Sequence, residues 1–442
     1  MVIASAPRSI ERPDCALVSI EMGYGHMRAA HALSAHLNTE ILHVDRDPLA
    51  SSEEAKSWER TRAFYETTSR ASTLPVIGGP FRAVIDSMTN IPNLYPYRDL
   101  SAPHLGVQIL DRMVQFGMGQ GMVNYLREHE LPLLTTFYAP AIIADRMGLR
   151  NIYCVVTDVD IHRIWASLDS KNTAIQYLVP SQRAARRLRA YGVPDANIHF
   201  TGFPLPPSLL GGPDLPVLRE TLKGRIERLD PRGTFRRQSL DEIRHFLGEL
   251  PDSSHPGPPH LVFAVGGAGA QATMVDLFLP SLSGAIRSGQ LRLTLIAGIR
   301  QEVKAQFEES IHKHGLSDWL GHSLSILYEP TLAEYFPSFN RLIADADIMW
   351  TKPSEMTFFG ALGLPLILSW PVGVHERYNR RWARERGAGI KQRNPHYAGE
   401  WLREMLAEGT LAAAAWSGFT RLPKFGVYRI AEVIARGAEA TR

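Results

Sequence analysis

The sequence predicts two doubly wound α/β domains, each built around a parallel β-sheet. With 442 residues the chain is long enough to form two hydrophobic cores. An apolar strand, a glycine turn and an amphipathic helix follow one another over residues 15–37, and a second strand follows at 41–44. The strand–turn–helix order recurs from Leu261 and again from Ile348. This β-α-β pattern predicts parallel sheets that bind ligands at the carboxyl ends of their strands.

The composition is that of an ordinary globular protein, with 45% hydrophobic and 21% charged residues. A formal net charge of +3 is too small for a typical nucleic-acid-binding domain, so we expect no nucleic-acid partner. The same weak positive charge favours anionic small molecules or an anionic membrane surface as ligands.

The sequence favours a reducing, cytoplasmic location, with contact to the inner face of a membrane as an option. Its two cysteines, Cys15 and Cys154, stand in apolar runs typical of buried free thiols. No apolar run has the length of a membrane span, and the first 14 residues lack the apolar core of a signal peptide.

Proline, glycine and charge mark the predicted domain boundaries. Residues 1–14 are expected to form a tail, and 15–207 the first domain, which ends in the run GFPLPP. Residues 208–257 are predicted to be an inserted helical excursion and linker, with the surface excursion over 208–239, a helix over 240–250, and the linker run PDSSHPGPPH from residue 251. Residues 258–442 form the second domain, and its terminal helix at 427–440 is expected to return to the first domain.

The stretch 345–390 is the most informative part of the chain. A strand ends at Trp350, a turn follows at 351–354, and a helix is predicted to begin after Ser354, whose hydroxyl would cap it. Glu355 lies in the first helical turn, where the helix dipole favours a carboxylate. Because helix N-termini bind phosphate groups, and Lys352 adds a full positive charge beside this one, we expect an anion site here.

Two runs in this stretch, TKPSEMTFFGALGLPLIL and PVGVHERYN, carry a family resemblance. They resemble the donor-binding half of the GT-B glycosyltransferases related to monogalactosyldiacylglycerol synthase, processive diacylglycerol glucosyltransferase and MurG. The matching positions are Thr351, Lys352, Thr357, Gly363, Pro365, Glu376 and Asn379, and His375 stands where the family has Gln.

The sequence departs from this family pattern at two positions. Ser354 replaces a glycine of the family, and Gly360 stands where the family has the glutamate that holds the nucleotide ribose. Glu355 is the nearby carboxylate that could substitute for that glutamate.

The resemblance implies a GT-B fold, in which two Rossmann-like domains face each other across a cleft. It further implies a nucleotide-sugar donor, a UDP-sugar, with no obligatory metal or cofactor. The donor pyrophosphate would be held by residues 352–355, and the donor-sugar hydroxyls by His375, Glu376 and Asn379.

A second glycine-rich turn follows the strand that begins at Leu261. Glycines let the backbone approach a phosphate, and the helix that follows directs its N-terminus at the same place. The turn resembles the family's MGGG(E)G segment, and Arg300 falls in a further family run. The resemblance assigns these residues to donor binding: Gly266, Gly267, Gly269, Ala270 and Arg300.

The first domain carries the candidate catalytic base. By itself Gly23-x-Gly25 is a weak dinucleotide signal, but GYGHMRAAHAL resembles a GGGH run of the lipid galactosyltransferases. The resemblance places Gly25 on the acceptor side and makes His26 the base, since an imidazole suits removal of a hydroxyl proton. The alternative is that His26 only caps or packs the first helical turn.

The run VVTDVDIHRIW resembles a VTD…H-x-x-W segment of the same galactosyltransferases. The resemblance makes Asp158 a partner of the base or of the acceptor hydroxyl, and His162 and Trp165 acceptor-side residues. A tryptophan face is a common platform for sugars. The alternatives are helix capping for Asp158 and core packing for Trp165.

Residues 74–110 form the least regular part of the first domain, with aromatic residues, prolines and arginines interleaved. In lipid-modifying relatives the corresponding region contacts the membrane, so 74–100 is a candidate for peripheral membrane contact and for a lipid acceptor. An inserted helix pair that packs on the domain explains the pattern equally well.

Taken together, these features predict an inverting glycosyltransferase that moves a sugar from a nucleotide-sugar donor to a lipid or other hydroxyl acceptor. Two alternatives stay open at this point. An epimerase like the UDP-N-acetylglucosamine epimerases shares the architecture and needs no acceptor. A non-catalytic nucleotide-sugar-binding protein fits the glycine at position 360.

Overall fold

The computed structural model describes residues 12–21, 23–59, 90–103, 105–250, 256–266, 271–371 and 373–441. The chain divides into two compact units. Unit 1 comprises residues 1–204 and 425–442, and unit 2 comprises residues 205–424.

Unit 1 is built on a six-stranded parallel sheet with the order β2-β1-β3-β4-β5-β6. Its strands are β1 Ala16–Ser19, β2 Ile41–His43, β3 Leu133–Thr135, β4 Ile152–Val155, β5 Ile175–Val179 and β6 Ile198–Phe200. Its labelled helices are α1 Tyr24–Leu37, α2 Leu105–Gln115, α3 Gln120–Glu128, α4 Tyr138–Arg146 and α5 Gln182–Ala190, with the C-terminal helix given below.

Unit 2 begins with three helices and then forms its own six-stranded parallel sheet. The helices before the sheet are α6 Pro207–Leu210, α7 Pro216–Leu229 and α8 Thr234–Leu247. The strands are β7 His260–Ala264, β8 Arg292–Gly298, β9 Leu324–Tyr328, β10 Ile348–Thr351, β11 Leu366–Leu368 and β12 Gly389–Lys391. The later helices are α9 Val275–Arg287, α10 Gln301–Lys313, α11 Leu332–Asp345, α12 Val374–Glu385, α13 Ala398–Ala407 and α14 Thr410–Arg421. The C-terminal helix α15, Gly426–Thr441, belongs to unit 1.

Both sheets confirm the predicted doubly wound α/β class. Read from β9, the order in unit 2 is β9-β8-β7-β10-β11-β12, which is the 3-2-1-4-5-6 order of dinucleotide-binding sheets. The chain reverses direction across the sheet between β7 and β10, and in unit 1 it does so between β1 and β3. Ligands of such sheets bind beside these switch points, at the carboxyl ends of the strands.

The strands read as continuous apolar runs because helices cover both faces of each sheet. In unit 2 the core is aromatic: Phe263 of β7 and Trp350 of β10 meet edge to face, with ring centroids 5.7 Å apart. Phe278 of α9 and Trp401 of α13 pack on the Trp350 ring at 4.8 Å and 5.2 Å. This packing fixes β7 and β10 side by side at the switch point.

The surface excursion predicted over residues 208–239 is wrong for helix α7. Its Arg225 is fully buried and donates hydrogen bonds to the carbonyls of Ala346 at 2.9 Å and Leu362 at 2.7 Å. One turn later, Arg228 forms a bidentate pair with the buried carboxylate of Asp347. The charged sequence of α7 suggests a solvated face, yet its arginines join the helix to the ends of β10 and the helix that follows it.

Helix α1 begins at Tyr24, so His26 lies inside its first turn. Helix α11 continues without a break through Pro337. Gly117 and Gly119 take positive φ between α2 and α3, where the chain changes from one helix to the next.

Both cysteines are buried free thiols, as predicted. Burial raises the pKa of the Cys15 thiol to about 12, with a further contribution from Asp14, and it raises the pKa of Cys154 as well. Within the described ranges, no helix has the length and apolar character needed to cross a membrane.

Replacing Arg225 by Met should destabilise unit 2. The change leaves the carbonyls that Arg225 contacts without donors in a dry interior, at a cost of about 3 kcal/mol. Urea unfolding followed by tryptophan fluorescence measures this loss as a lower transition midpoint. The control is Arg219→Met on the exposed face of the same helix, which should shift the midpoint little. Equal midpoints for the two variants would contradict the structural role of Arg225.

Candidate functional site

The switch point of unit 2 brings a glycine and a lysine together. β7 and β10 are neighbours, with Thr351 paired to Ala264, so the turns after them leave the sheet side by side. A Cβ atom at Gly266 would lie 2.1 Å from Cε of Lys352 and 2.9 Å from its Nζ. Only glycine at position 266 leaves room for Lys352 to cross the turn after β7.

Helix α12 holds this lysine in place. Nζ of Lys352 donates to Oε1 of Glu376 at 2.8 Å, and only 2% of Glu376 is exposed. Nδ2 of the buried Asn379, one turn along α12, donates to the carbonyl of Pro353 at 3.1 Å. Both side chains were predicted to bind donor-sugar hydroxyls. The contacts seen here are with the lysine and with the turn that carries it, and the predicted contact with a donor sugar stays a prediction.

The turn after β10 differs from the predicted one in two ways. Residues Glu355–Leu362 form a 3-10 helix rather than an α-helix. The predicted side-chain cap at Ser354 is wrong: its hydroxyl accepts no capping hydrogen bond, and the N–H of Thr357 donates to the Ser354 backbone carbonyl instead. The tighter helix satisfies its first turn through the backbone. Glu355 is half-buried in that first turn.

Gly360 lies in the hydrophobic core and not at the switch point. A Cβ atom there would lie 2.9 Å from Leu422 and 3.2 Å from Ala388. Across from it, a Cβ at Gly418 would approach the Gly360 carbonyl to 2.2 Å. A carboxylate at position 360 would therefore enter the core, so the glycine in place of the family glutamate fits how this chain packs its 3-10 helix.

Three buried polar atoms near the carboxyl ends of these strands have no hydrogen-bond partner among the described residues. They are Oγ1 of Thr357 in the 3-10 helix, Oγ of Ser369 directly after β11, and Oε1 of Gln271 beyond the turn after β7. Buried polar groups are normally satisfied, so in the described part of the chain these three atoms lack the partner that such groups usually have. The sequence analysis did not name Ser369 or Gln271 as candidate site residues, although both come after the end of a strand.

The remaining predicted donor residues are placed as follows. Gly267, Gly269 and Ala270 lie outside the described residues. Arg300 is half-buried at the start of α10, directly after β8, where its guanidinium contacts Glu302 at 3.3 Å. His375 is half-buried in the first turn of α12. Its ring lies over Gly373, where a Cβ atom would come within 2.8 Å of Cε1.

The switch point of unit 1 holds His26. The histidine lies in the first turn of α1, after β1, and its Nδ1 contacts the carbonyl oxygen of Thr136 at 2.7 Å. A carbonyl only accepts hydrogen bonds, so Nδ1 carries the proton and the neutral ring keeps its lone pair on Nε2. The Thr136 hydroxyl in turn contacts that of Ser19, at the end of β1, at 2.8 Å.

Other residues also position the ring of His26. The hydroxyl of Thr157, just after β4, lies 3.3 Å from Nδ1. Phe137 contacts the ring edge to face at 4.9 Å, and Trp165 lies 6.1 Å away on a tilt. Sequence reasoning missed Thr136, which follows β3, the strand adjacent to β1. The order of the strands would have placed Thr136 beside His26, whereas the distance between the two residues in the sequence gives no such indication.

Trp165 is 3% exposed and belongs to the core of unit 1, so its ring is packed against other side chains instead of being open as a sugar platform. Asp158 is half-buried beyond β4, and His162 is half-buried at the start of the 3-10 turn Arg163–Trp165. Gly25 is in the first turn of α1, next to His26. The structure thus brings Gly25, His26 and Trp165 together.

A second aspartate of the same run, Asp160, has a structural role. It is fully buried and accepts from Nε of Arg183 at 2.5 Å and Nε of Arg187 at 2.8 Å. Helix α5 therefore binds the loop after β4 through two of its arginines. The contacts of Asp160 with Arg183 and Arg187 hold in place the loop that carries Asp158 and His162.

Comparison with solved structures supports a GT-B fold. MurG from Acinetobacter baumannii aligns with 96% of this chain and 100% of its own, at 11% identity and a TM-score of 0.50. A protein from Listeria monocytogenes assigned as a UDP-N-acetylglucosamine 2-epimerase aligns with 97% of this chain and 96% of its own, at 12% identity and a TM-score of 0.50. With its two parallel six-stranded sheets, the chain has the GT-B fold.

Sequence comparisons add little about activity. Residues 253–436 match a family described as a domain of unknown function, DUF6938. No curated protein matches the sequence. Within the described residues, no group of three or more His, Cys, Asp or Glu side chains is arranged to hold a metal ion.

Replacing Gly360 by Glu should destabilise unit 2 strongly. The substitution places an unpaired carboxylate among apolar side chains, which costs several kcal/mol. Thermal melting and soluble yield measure the effect.

The matched control is Gly284→Glu on α9, where a Cβ atom would meet nothing within 4 Å. This exposed glycine should accept glutamate with an almost unchanged melting temperature. Equal melting temperatures for the two variants would show that position 360 does face solvent or a ligand.

Proposed function

We propose that this protein is an inverting glycosyltransferase that uses a nucleotide-sugar donor, with UDP as the leaving nucleotide. Unit 2 would bind the donor and unit 1 would supply the base. The observation that carries the proposal is Lys352, held by Glu376 across Gly266 at the switch point of a dinucleotide-type sheet.

The donor pyrophosphate is the ligand that suits this switch point. Backbone N–H groups at the turns after β7 and β10 and the ammonium group of Lys352 would stabilise the negative charge that develops on the departing nucleotide. The pair with Glu376 fixes the ammonium group before the donor arrives, so little reorganisation is needed in the reaction. In this proposal the charge is supplied without an obligatory metal ion.

His26 is proposed to remove the acceptor proton. Its Nδ1–H is directed to the Thr136 carbonyl, so the lone pair on Nε2 is the basic one. The acceptor hydroxyl gives its proton to Nε2 and its oxygen bonds to the anomeric carbon. The bond from that carbon to the phosphate oxygen breaks at the same time, and its electron pair leaves with the nucleoside diphosphate. Attack opposite to the leaving group inverts the anomeric carbon.

The acceptor is proposed to be a lipid or another hydroxyl compound, with the protein working at the cytoplasmic face of a membrane. The motifs that resemble those of the lipid galactosyltransferases support this choice. Most of the proposed membrane-contacting stretch 74–100 lies outside the described residues. Residues Tyr95 and Tyr97, which are described, are about 60% exposed, and their ring centroids lie 4.6 Å apart with the rings tilted to each other.

An epimerase is the second candidate, because the structure assigned as an epimerase aligns as well as MurG does, with the same TM-score. An epimerase would convert a UDP-sugar without any acceptor. A transferase releases UDP in proportion to the acceptor supplied. A non-catalytic binding protein would bind the nucleotide and release nothing.

Nucleoside diphosphates should raise the melting temperature of the protein, because a ligand that binds only the folded state stabilises it. A panel of UDP, GDP, ADP and their sugar conjugates identifies the donor. Gly266→Ala should abolish the shift, since its methyl group displaces Lys352, and Lys352→Ala should do the same.

Gly284→Ala serves as the glycine control and Lys313→Ala as the lysine control, both at exposed positions of unit 2. Both should keep the wild-type shift. If no nucleotide stabilises the wild-type protein, or if the Gly266 variant responds normally, the donor site is not at this switch point.

His26→Gln should reduce turnover by about 10²–10⁴-fold with little change in donor binding, because the base acts only in the chemical step. Acceptor-dependent UDP release with diacylglycerol or a soluble sugar acceptor measures turnover.

His129→Gln provides a matched control. His129 also places Nδ1 on a backbone carbonyl, that of Tyr125 at 2.9 Å, but it is exposed at the end of α3. Its replacement should leave turnover unchanged. A His26 variant with wild-type turnover would exclude it as the base.

A further inference from the structure

Unit 1 contains a partly open cavity with several polar side chains in its lining, at the opposite ends of the strands from His26. Its volume is about 300 Å³, and helix α15 forms one of its walls. Two of its residues, Arg150 and Asn151, directly precede β4, so the cavity opens near the amino end of that strand. The side chains that matter most for its chemistry are those of Arg150, Tyr153, Gln176, His199 and Arg436.

Three of these side chains stand on three neighbouring strands. Tyr153 of β4 is the register partner of Gln176 of β5, and Oε1 of Gln176 lies 2.8 Å from Nε2 of His199 on β6. A parallel sheet covered by a helix is normally apolar at such positions. Close packing of the helix on the sheet does not require polar side chains at Tyr153, Gln176 and His199. A polar ligand would require them.

Gly437 of α15 allows the helix to close over this row. A Cβ atom at Gly437 would lie 1.9 Å from the hydroxyl oxygen of Tyr153, so any other residue would push the helix away from β4. The helix can therefore approach Tyr153 closely while the neighbouring space, bordered by Val433 and Arg436, stays open as the cavity.

The charge around this cavity is positive. Arg150 and Arg436 bring two guanidinium groups, and none of the described residues that line the cavity is acidic. The nearest carboxylate on the helix is Glu432, which lies 3.7 Å from Arg436. Burial first, and the charge of Arg436 second, lower the pKa of His199. An anion in the cavity would offset both the charge of the arginines and the cost of burying the imidazolium.

We propose that this cavity binds a small phosphate ester, at a site separate from the one that binds the donor. The two guanidinium groups would hold the phosphate oxygens, and Asn151, Tyr153 and Gln176 would hydrogen-bond the rest of the molecule. A cavity of this volume is at the lower limit for small-molecule sites, which suits a phosphorylated polyol better than a nucleotide sugar. Because α15 contributes one wall, the ligand would also fasten that helix to the sheet.

Histidine NMR provides a local test. The experiment uses Lys352→Ala protein, so that the proposed donor site does not compete for phosphate, with inorganic phosphate and glycerol 3-phosphate as probes at constant ionic strength. The ring signal of His199 is assigned by its loss in His199→Gln. We expect a saturable shift of this signal and a higher pKa for His199 with the probe bound, since an anion stabilises the imidazolium. Arg436 of α15 is the charged group that acts on the pKa of His199, and Gln176, which contacts its ring, carries no charge.

Arg150→Gln and Arg436→Gln should each weaken binding roughly tenfold. Arg186→Gln, at an exposed position on α5 of the same unit, should leave it unchanged. Tighter binding of glycerol 3-phosphate than of inorganic phosphate supports an ester as the occupant. The proposal is overturned if His199 shows no saturable shift up to about 10 mM of either probe. It is equally overturned if the Arg150 and Arg436 variants bind as tightly as the Arg186 control.

Discussion

The reversal of strand order within each sheet is the constraint on which both candidate sites depend. Where neighbouring strands send their connections to opposite faces, the backbone leaves an opening beside their carboxyl ends. In unit 2 this opening lies between β7 and β10 and contains Gly266 and Lys352. In unit 1 it lies between β1 and β3 and contains His26 and Thr136. Residues far apart in the sequence meet because the sheet order brings their strands together.

In each opening, groups from other parts of the same unit orient the candidate residue. The Lys352 ammonium group is oriented by Glu376 from a helix that begins 22 residues later. A buried carboxylate that has a cationic partner keeps its charge, and the cation in turn keeps a fixed position. The His26 ring is oriented by a backbone carbonyl, which accepts a hydrogen bond from its Nδ1. In the proposed function, one site would present a fixed positive charge and the other a base.

Sequence reasoning predicted the α/β class, most strands and the residues that share the openings. It placed His26 and Lys352 after strand ends because glycine turns and helix starts are local signals. It missed Thr136, whose relation to His26 spans 110 residues and depends on the order of the strands. It assigned Glu376 and Asn379 to the donor sugar, but the motif did not indicate their contacts with Lys352 and with the carbonyl of Pro353.

Helix α7 and position 360 show why local patterns failed elsewhere. The sequence of α7 alternates charged and apolar residues as a surface helix does, yet Arg225 is buried because four backbone carbonyls converge on its guanidinium group. Gly360 was read as the loss of a functional carboxylate. In the structure it is a core position where the absence of a side chain lets helix α14 pack closely at Gly418. Both outcomes depend on tertiary contacts that no short window of sequence contains.

The central claim is that the switch point of unit 2 binds a pyrophosphate. Calorimetric titration of the purified protein with UDP, UMP and uridine at matched ionic strength tests it most directly. If the opening beside Lys352 holds both phosphates, UDP should bind at least about tenfold more tightly than UMP, and uridine more weakly still. Equal affinities for UDP and UMP, or no binding of UDP at millimolar concentration, would contradict the account.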